Sequence, residues 1–191
     1  YSGGSWTKLG SDIDGEAADD LSGFTVSLSS DGTIVAIGSR KNDGTGSDAG
    51  HVRVYKYNGS AWTKLGDDID GEAEDDLSSQ SVSLSSDGTI VAIGAHYNDG
   101  TASNAGHVRI YQYNGGAWTK LGNDIDGEAG GDWSGWSVSL SSDGTTVAIG
   151  AFDNDGTASG AGHVRVYNLV NSHAPVASNV SAATVKNTNA S

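Results

Sequence analysis

Three tryptophans, Trp6, Trp62 and Trp118, stand 56 residues apart, and each opens the same five residues, WTKLG. Behind them, in one order, come DIDGEA, VSLSSDGT, VAIG, NDGT and AGHVR, and no gap is needed to align the copies. A period of this size marks an array or a propeller, in which each repeat is one supersecondary unit that buries its apolar face against its neighbours. The repeat units run 6–61, 62–117 and 118–169, within a blade region of residues 1–169.

Each unit reads as four strands. TVSLSSD alternates, with Val26 and Leu28 on one face and small hydroxyls on the other. TIVAIG is a continuous apolar run, as expected of a strand buried on both faces. HVRVYKY alternates again, with Val52 and Val54 opposite Arg53 and Tyr55. WTKLG is short and carries the tryptophan. No segment shows a 3.6-residue period, so helix is not expected. SSDGT and YNGSAW read as tight Asp-Gly and Asn-Gly hairpins. SRKNDGTGSDAG and DIDGEAADDLSG read as long loops. In an up-and-down sheet both tight turns then share one end and both long loops the other. The expected fold class is all-β, a β-propeller-type array of three 56-residue four-stranded blades.

The chain opens on a last-type strand and closes on a third-type strand, so the N-terminal strand is positioned to complete the final blade. Propellers use about four to eight blades, and three is below that range. The expectation is therefore a part of a larger propeller, with an upstream blade, or a ring closed by a second chain. A three-unit array closed on itself, trefoil-like, is the runner-up. Residues 170–191 break the repeat and contain the single proline, Pro175. They read as a linker and the first strand of an immunoglobulin-like or cadherin-like domain.

Composition narrows the function classes. There are 24 Asp and Glu against 10 Lys and Arg, a formal charge of −14. That surface repels nucleic-acid phosphates and anionic membranes and attracts cations. Cysteine is absent, so neither disulfides nor thiolate chemistry are available. Methionine is absent too, even at position 1, which reads as a chain cut from something longer. No apolar run approaches a membrane span, and no export signal is visible. The 29 glycines sit at fixed places beside Asp and Asn, the pattern of turns in a β protein.

The stretches GFTVSLSSDGTIVAIGSRKNDG and AGHVRVYKYNGSAWTKLG resemble the FG-GAP repeat family, the blades of integrin-type β-propellers. GFTVSLS stands where that family has Phe-Gly-x-Ser-Val. VAIGSR stands where it has Gly-Ala-Pro, with Ser39 and Arg40 replacing Ala and Pro. The resemblance covers residues 1–169. It implies a bacterial or algal surface protein, adhesive and built from several modules. In that family calcium sits in a D-x-D-x-D-G loop inside the first hairpin. Here the hairpin holds one acid, Asp31, so those ligands do not carry over.

Several residue sets can carry chemistry. Asp12, Asp14 and Glu16 recur as Asp68, Asp70 and Glu72, then as Asp124, Asp126 and Glu128. Alternate acids before a glycine turn can supply several of the six to eight oxygens that calcium takes. The same residues also fit a wide solvated turn. Asn42 and Asp43, with Asn98, Asp99, Asn154 and Asp155, lie at the same end and can share that cation, or form Asx turns. His51, His107 and His163 follow a glycine at a strand start. A histidine repeated in every blade suits a structural bond to a loop carboxylate better than a catalytic triad, since an enzyme rarely builds three identical sites. Trp6, Trp62 and Trp118 read as packing between blades. The sequons at Asn58, Asn179 and Asn189 matter only in a eukaryotic secretory host.

What varies between copies is a separate signal. Phe24 becomes Gln80, then Trp136; Leu21 becomes Leu77, then Trp133. Arg40 and Lys41 become His96 and Tyr97, then Phe152 and Asp153. All lie in or beside the long loops, where constant residues keep the blade and variable ones are free for recognition. Trp133, Trp136, Phe152, Tyr97 and Phe24 are the candidate ligand surface for a glycan or protein, or else larger plugs at a blade junction. The expectation is a non-catalytic adhesion or ligand-binding module, secreted or at the cell surface, of aquatic or marine origin, with calcium stiffening its loops. The alternative is a structural spacer in a surface or filament protein.

Overall fold

The computed structural model of the chain describes residues 3–169. The expected linker and domain-entry strand at 170–191, with Asn179 and Asn189, lie outside the described residues.

The described residues are all-β. In the first blade β1 (Ser22–Leu28), β2 (Ile34–Ser39) and β3 (His51–Tyr57) form an antiparallel meander. The fourth strand is split into β4 (Trp62–Lys64) and β5 (Ile69–Asp70), and both pieces pair with β3. The second blade repeats this with β6 (Ser81–Leu84), β7 (Ile90–Ala95), β8 (His107–Tyr113), β9 (Trp118–Lys120) and β10 (Ile125–Asp126). The third has β11 (Ser134–Leu140), β12 (Thr146–Ala151) and β13 (His163–Asn168), and β13 pairs only with β12 among the described residues.

The split fourth strand corrects the expectation that DIDGEA lies wholly in a loop. Ile69 stands opposite Val52 and Asp70 opposite His51. Asp-Ile-Asp is itself a period-2 pattern, with Ile69 turned into the core and the acids turned out. The long loop therefore starts at Gly71, three residues later than the acids suggest.

Apolar clusters lie between blades. Ile34, Ala36, Val52, Val54 and Ile69 of the first blade pack on Leu84, Val91 and Ile93 of the second. Val108 and Ile110 of the second pack with Val147 and Ile149 of the third. The hydroxyl face of VSLSS has its own use. The Ser27 hydroxyl accepts from the Leu84 N–H at 2.9 Å, and Ser83 does the same for Leu140 at 3.0 Å. First strands are thereby tied to each other, with β6 packed between β1 and β11. Trp62 donates its indole N–H to the Leu9 carbonyl at 2.9 Å, and Trp118 to Leu65 at 2.7 Å. Trp118 thereby links the second blade to the first, and Trp62 links the first blade to the N-terminal segment. Trp6 is 91% exposed.

The array is open. Among the described residues the first strand is β1 and β13 pairs only with β12, so residues 6–10 do not form the final blade's fourth strand, a correction to that expectation. The N-terminal segment instead lies against the first blade, where Arg53 donates to the Asp14 carbonyl at 2.8 Å.

Candidate functional site

Both long connections of each blade emerge at one end of the sheets, where the third strand begins and the fourth ends. Their backbone is fixed by side chains. Asn42 donates its amide to Asp20 Oδ2 at 3.0 Å, and Asn98 and Asn154 do the same for Asp76 and Asp132. Each of these buried carboxylates also accepts a backbone N–H three residues upstream, from Ala17, Ala73 and Ala129. The Oδ1 of Asn42, Asn98 and Asn154 accepts the N–H two residues on, closing an Asx turn. Asn42 thus joins the two loops directly, where a shared cation was one expectation.

The nine candidate calcium acids do not converge within a connector. Asp12, Asp68 and Asp124 bind Lys8, Lys64 and Lys120 four residues back. Asp70 and Asp126 lie on the fourth strands, and the backbone carbonyls of Asp14 and Asp126 accept from Arg53 and Arg165. Glu16, Glu72 and Glu128 reach forward to Arg53, Arg109 and Arg165 on the third strand of the following blade. Two sets capable of holding a metal ion arise by combining stretches: Glu16 with His51 and Asp68, and Glu72 with His107 and Asp124. Their ligand atoms lie within 4.8 Å of one another. Each set already contains a guanidinium: Arg53 pairs with Glu16, and Arg109 with both Glu72 and Asp124.

The histidines lie near carboxylates, beyond the hydrogen-bond distance expected from the sequence. The Nδ1 atoms of His51, His107 and His163 lie 4.0, 3.8 and 3.7 Å from Asp70, Glu72 and Glu128. Burial pushes the imidazoles of His51 and His107 below the usual range. Burial also pushes Asp124 up, but the Lys120 hydrogen bond and the Arg109 charge outweigh it and leave the carboxyl low. The arginines were not among the sequence candidates. Their signal was the invariant third residue of HVR.

In each Asp-Gly hairpin the lone acid is held by its own turn. Asp31 accepts from the Ser29 hydroxyl at 2.7 Å and from the Thr33 N–H at 2.9 Å. The same bonds in the third blade hold Asp143 down at about 2. The single acid is occupied in shaping its own turn.

The variable residues come together. Trp133 and Trp136 stack with centroids 5.9 Å apart and planes 20° from parallel. Phe152 lies 4.6 Å from Trp136 and 5.0 Å from Trp133, and Tyr97 lies 5.9 Å from Trp133. A fifth ring, buried His96, stands edge-on to Trp136 at 5.0 Å. Burial, reinforced by the Arg40 charge, pushes the His96 imidazole down to about 4. Tyr97, Trp136 and Phe152 keep a third or more of their surface exposed. Phe24 does not join them. Its ring carries the Arg40 guanidinium 3.9 Å above its centre, and Arg40 reaches Gln80 Oε1 at 3.2 Å.

Local backbone explains the placement. Register breaks between Ser22 and Thr25, and again between Ser134 and Ser137, leaving Phe24 and Trp136 in bulges that re-aim their side chains. Leu21, Leu77 and Trp133 sit at φ 54°, 50° and 55°, one position in three repeats. That conformation is disfavoured for a bulky residue and is held by the loop, as when Trp133 N–H donates to the Asn104 carbonyl. Beside the rings, a cleft of about 500 Å³ runs between the loops, lined by Tyr97 and by Glu72, Glu74, Asp75, Asp76 and Asp99.

No family model matches the chain, and no curated protein does. Sixty-five chains of solved structures match it. One is the periplasmic gluconolactonase PpgL of Pseudomonas aeruginosa, at a TM-score of 0.49 and 15% identity, covering 75% of this chain and 38% of that one. The chain thus spans well under half of that protein's length.

Proposed function

We propose that the chain is a non-catalytic recognition module whose long-loop end binds a carbohydrate-type ligand, within an extracellular or surface protein of the FG-GAP kind. The observation that carries this reading is the cluster of Trp133, Trp136, Phe152 and Tyr97. Four rings from three separate segments meet at positions that vary between otherwise matching repeats. Stacked rings offer flat apolar area to a sugar face, and the neighbouring carboxylates accept hydroxyl hydrogens. The carboxylate–histidine sets serve as clamps between blades in this reading, because they recur in the same form and each is matched by an arginine.

The test is a glycan and peptide array probed with the parent chain and with Trp136→Ala. The reading expects glycan hits that disappear in the variant while the unfolding midpoint changes little. A peptide hit lost in the same variant moves the ligand class to protein. No hit at all supports the spacer, a reading favoured by His96 and Tyr97 packing on Trp136 and Trp133 across the junction of the second and third blades.

Calcium stiffening of the loops is the second reading of the two Glu–His–Asp sets. Calcium takes oxygen ligands, whereas each set brings an imidazole nitrogen and an arginine that an ion has to displace. Thermal unfolding in calcium and then in chelator decides it. Equal midpoints support the clamp, and a midpoint several degrees higher in calcium supports the metal.

A further inference from the structure

The two ends of the array expose apolar faces that are buried at the junctions between blades. On the first blade Val26 and Leu28 are 63% and 59% exposed. Their counterparts Val82 and Leu84, then Val138 and Leu140, pack into the clusters between blades. On the third blade Val164 and Val166 are 68% and 65% exposed. Their counterparts Val52 and Val54, then Val108 and Ile110, are fully buried. Each internal junction joins a Val-Val type face to a Val-Leu type face, and the two ends of the array expose one face of each type.

The backbone repeats this complementarity. β3 and β8 each pair with a split fourth strand, while the outer edge of β13 has no strand partner among the described residues. An exposed edge is a template for strand addition. One copy of WTKLG stands at residues 6–10, ahead of the first described strand, followed by Asp12 to Asp14. That segment already occupies the fourth-strand place of a blade preceding the first. Trp62 binds its Leu9 carbonyl as Trp118 binds Leu65, and Arg53 binds its Asp14 carbonyl as Arg165 binds Asp126.

We propose that two copies of this chain associate head to tail into a closed six-bladed ring, residues 7–14 of each copy forming the fourth strand of its partner's third blade. Three blades fall below the usual four to eight, and six falls within it. Both junctions of the ring are the same contact related by a two-fold axis. The internal pairings His51 with Asp70, Val52 with Ile69, Tyr55 with Lys64 and Lys56 with Thr63 fix the register. His163 then faces the partner's Asp14, Val164 the partner's Ile13, Tyr167 the partner's Lys8 and Asn168 the partner's Thr7. The Ser139 hydroxyl accepts from the partner's Leu28 N–H, as Ser83 does for Leu140. Phe152 meets the partner's Phe24, as His96 meets Trp136, so closure extends the row of variable side chains around the axis.

The test uses the 191-residue chain, which has no cysteine of its own. Sedimentation equilibrium should give twice the 19.3 kDa chain mass. Thr7→Cys and Asn168→Cys are made in separate chains, both at exposed positions. Mixed and mildly oxidised, they should form a disulfide-linked pair, and neither alone should. Val166→Glu should give a folded chain of single mass, since that side chain is exposed within one copy. A monomeric parent at its highest soluble concentration overturns the proposal. So does a Thr7→Cys, Asn168→Cys double variant that cross-links within one chain, because that is closure of three blades on themselves. A Val166→Glu chain that keeps the double mass overturns the proposed face. Glycan binding by a monomeric parent leaves the recognition reading standing while this proposal falls.

Discussion

The Asn98 amide lies 2.9 Å from the buried carboxylate of Asp76, and that bond joins the loop leaving the first blade to the loop inside the second. The same bond recurs at Asn42 with Asp20 and at Asn154 with Asp132. A hydrogen bond to a buried charge contributes more than a neutral one, and removing one partner leaves the other unsatisfied. Asn98→Ala should therefore cost roughly 1.5–3 kcal/mol in chemical denaturation. Asp99→Ala, whose carboxylate caps an exposed turn through the Asn104 N–H, should cost less than a third of that. Equal costs would place the strength of the loops elsewhere.

Stability should fall on acidification through the histidine range, with His96 the largest single contributor. His96 is held neutral, with its folded value at about 4 against 6.5 when unfolded. Between those values the unfolded chain binds the extra proton, so stability is fully present above pH 6.5 and is lost as pH falls towards 4. The full effect is of order 3 kcal/mol. His96→Phe keeps a ring at the position and should flatten the unfolding midpoint across that window. The lowered His51 and His107 act in the same direction, so a smaller slope should remain.

The hairpin aspartates titrate lower. Asp143 drops to about 2, and Asp31 and Asp87 are also lowered, each by hydrogen bonds from the Ser and Thr of its own turn. Their contribution is present above the unfolded carboxylate value, near 3.8, and disappears as pH falls through the folded value. Asp87→Asn should show a shallower loss of stability below pH 4 than the parent, read by circular dichroism during acid titration.

Glycine at the end of VAIG is a packing requirement. A side-chain carbon on Gly94 would run into the Gly135 carbonyl of the next blade, beside the Ser81 hydroxyl. Gly94→Ala should separate the second and third blades locally, costing about 1–3 kcal/mol. Gly116→Ala, in a tight turn with open space around it, should stay within about 0.5 kcal/mol of the parent. Matching losses at both sites would mean that the blades do not approach so closely.

The blade was legible in the sequence because its signals are local and triply repeated. Alternation in TVSLSSD, the apolar run VAIG and the Asp-Gly turn each place their own residues. The end of the fourth strand was not, because Asp-Ile-Asp beside a glycine reads as a polar loop until Ile69 is seen packed on Val52 and Val54. At the site, Trp133, Trp136, Phe152 and Tyr97 could be nominated from their variation alone. His96 was visible as a variable residue, but its edge-on contact with Trp136 required the fold. The acids were misleading for a physical reason. Acids that neighbour one another in sequence lie on a strand edge, on a lysine and across a blade junction, and only the three-dimensional arrangement sorts them among Lys8, His51 and Arg53.

The recognition reading is tested most directly by hydrogen–deuterium exchange of the chain with and without a ligand found on the array. The account predicts slowed exchange at residues 96–97, 133–136 and 152, which carry the ring cluster at the long-loop end. Protection confined to the tight turns at 29–33, 58–61 and 85–89, at the opposite end of the sheets, would contradict it.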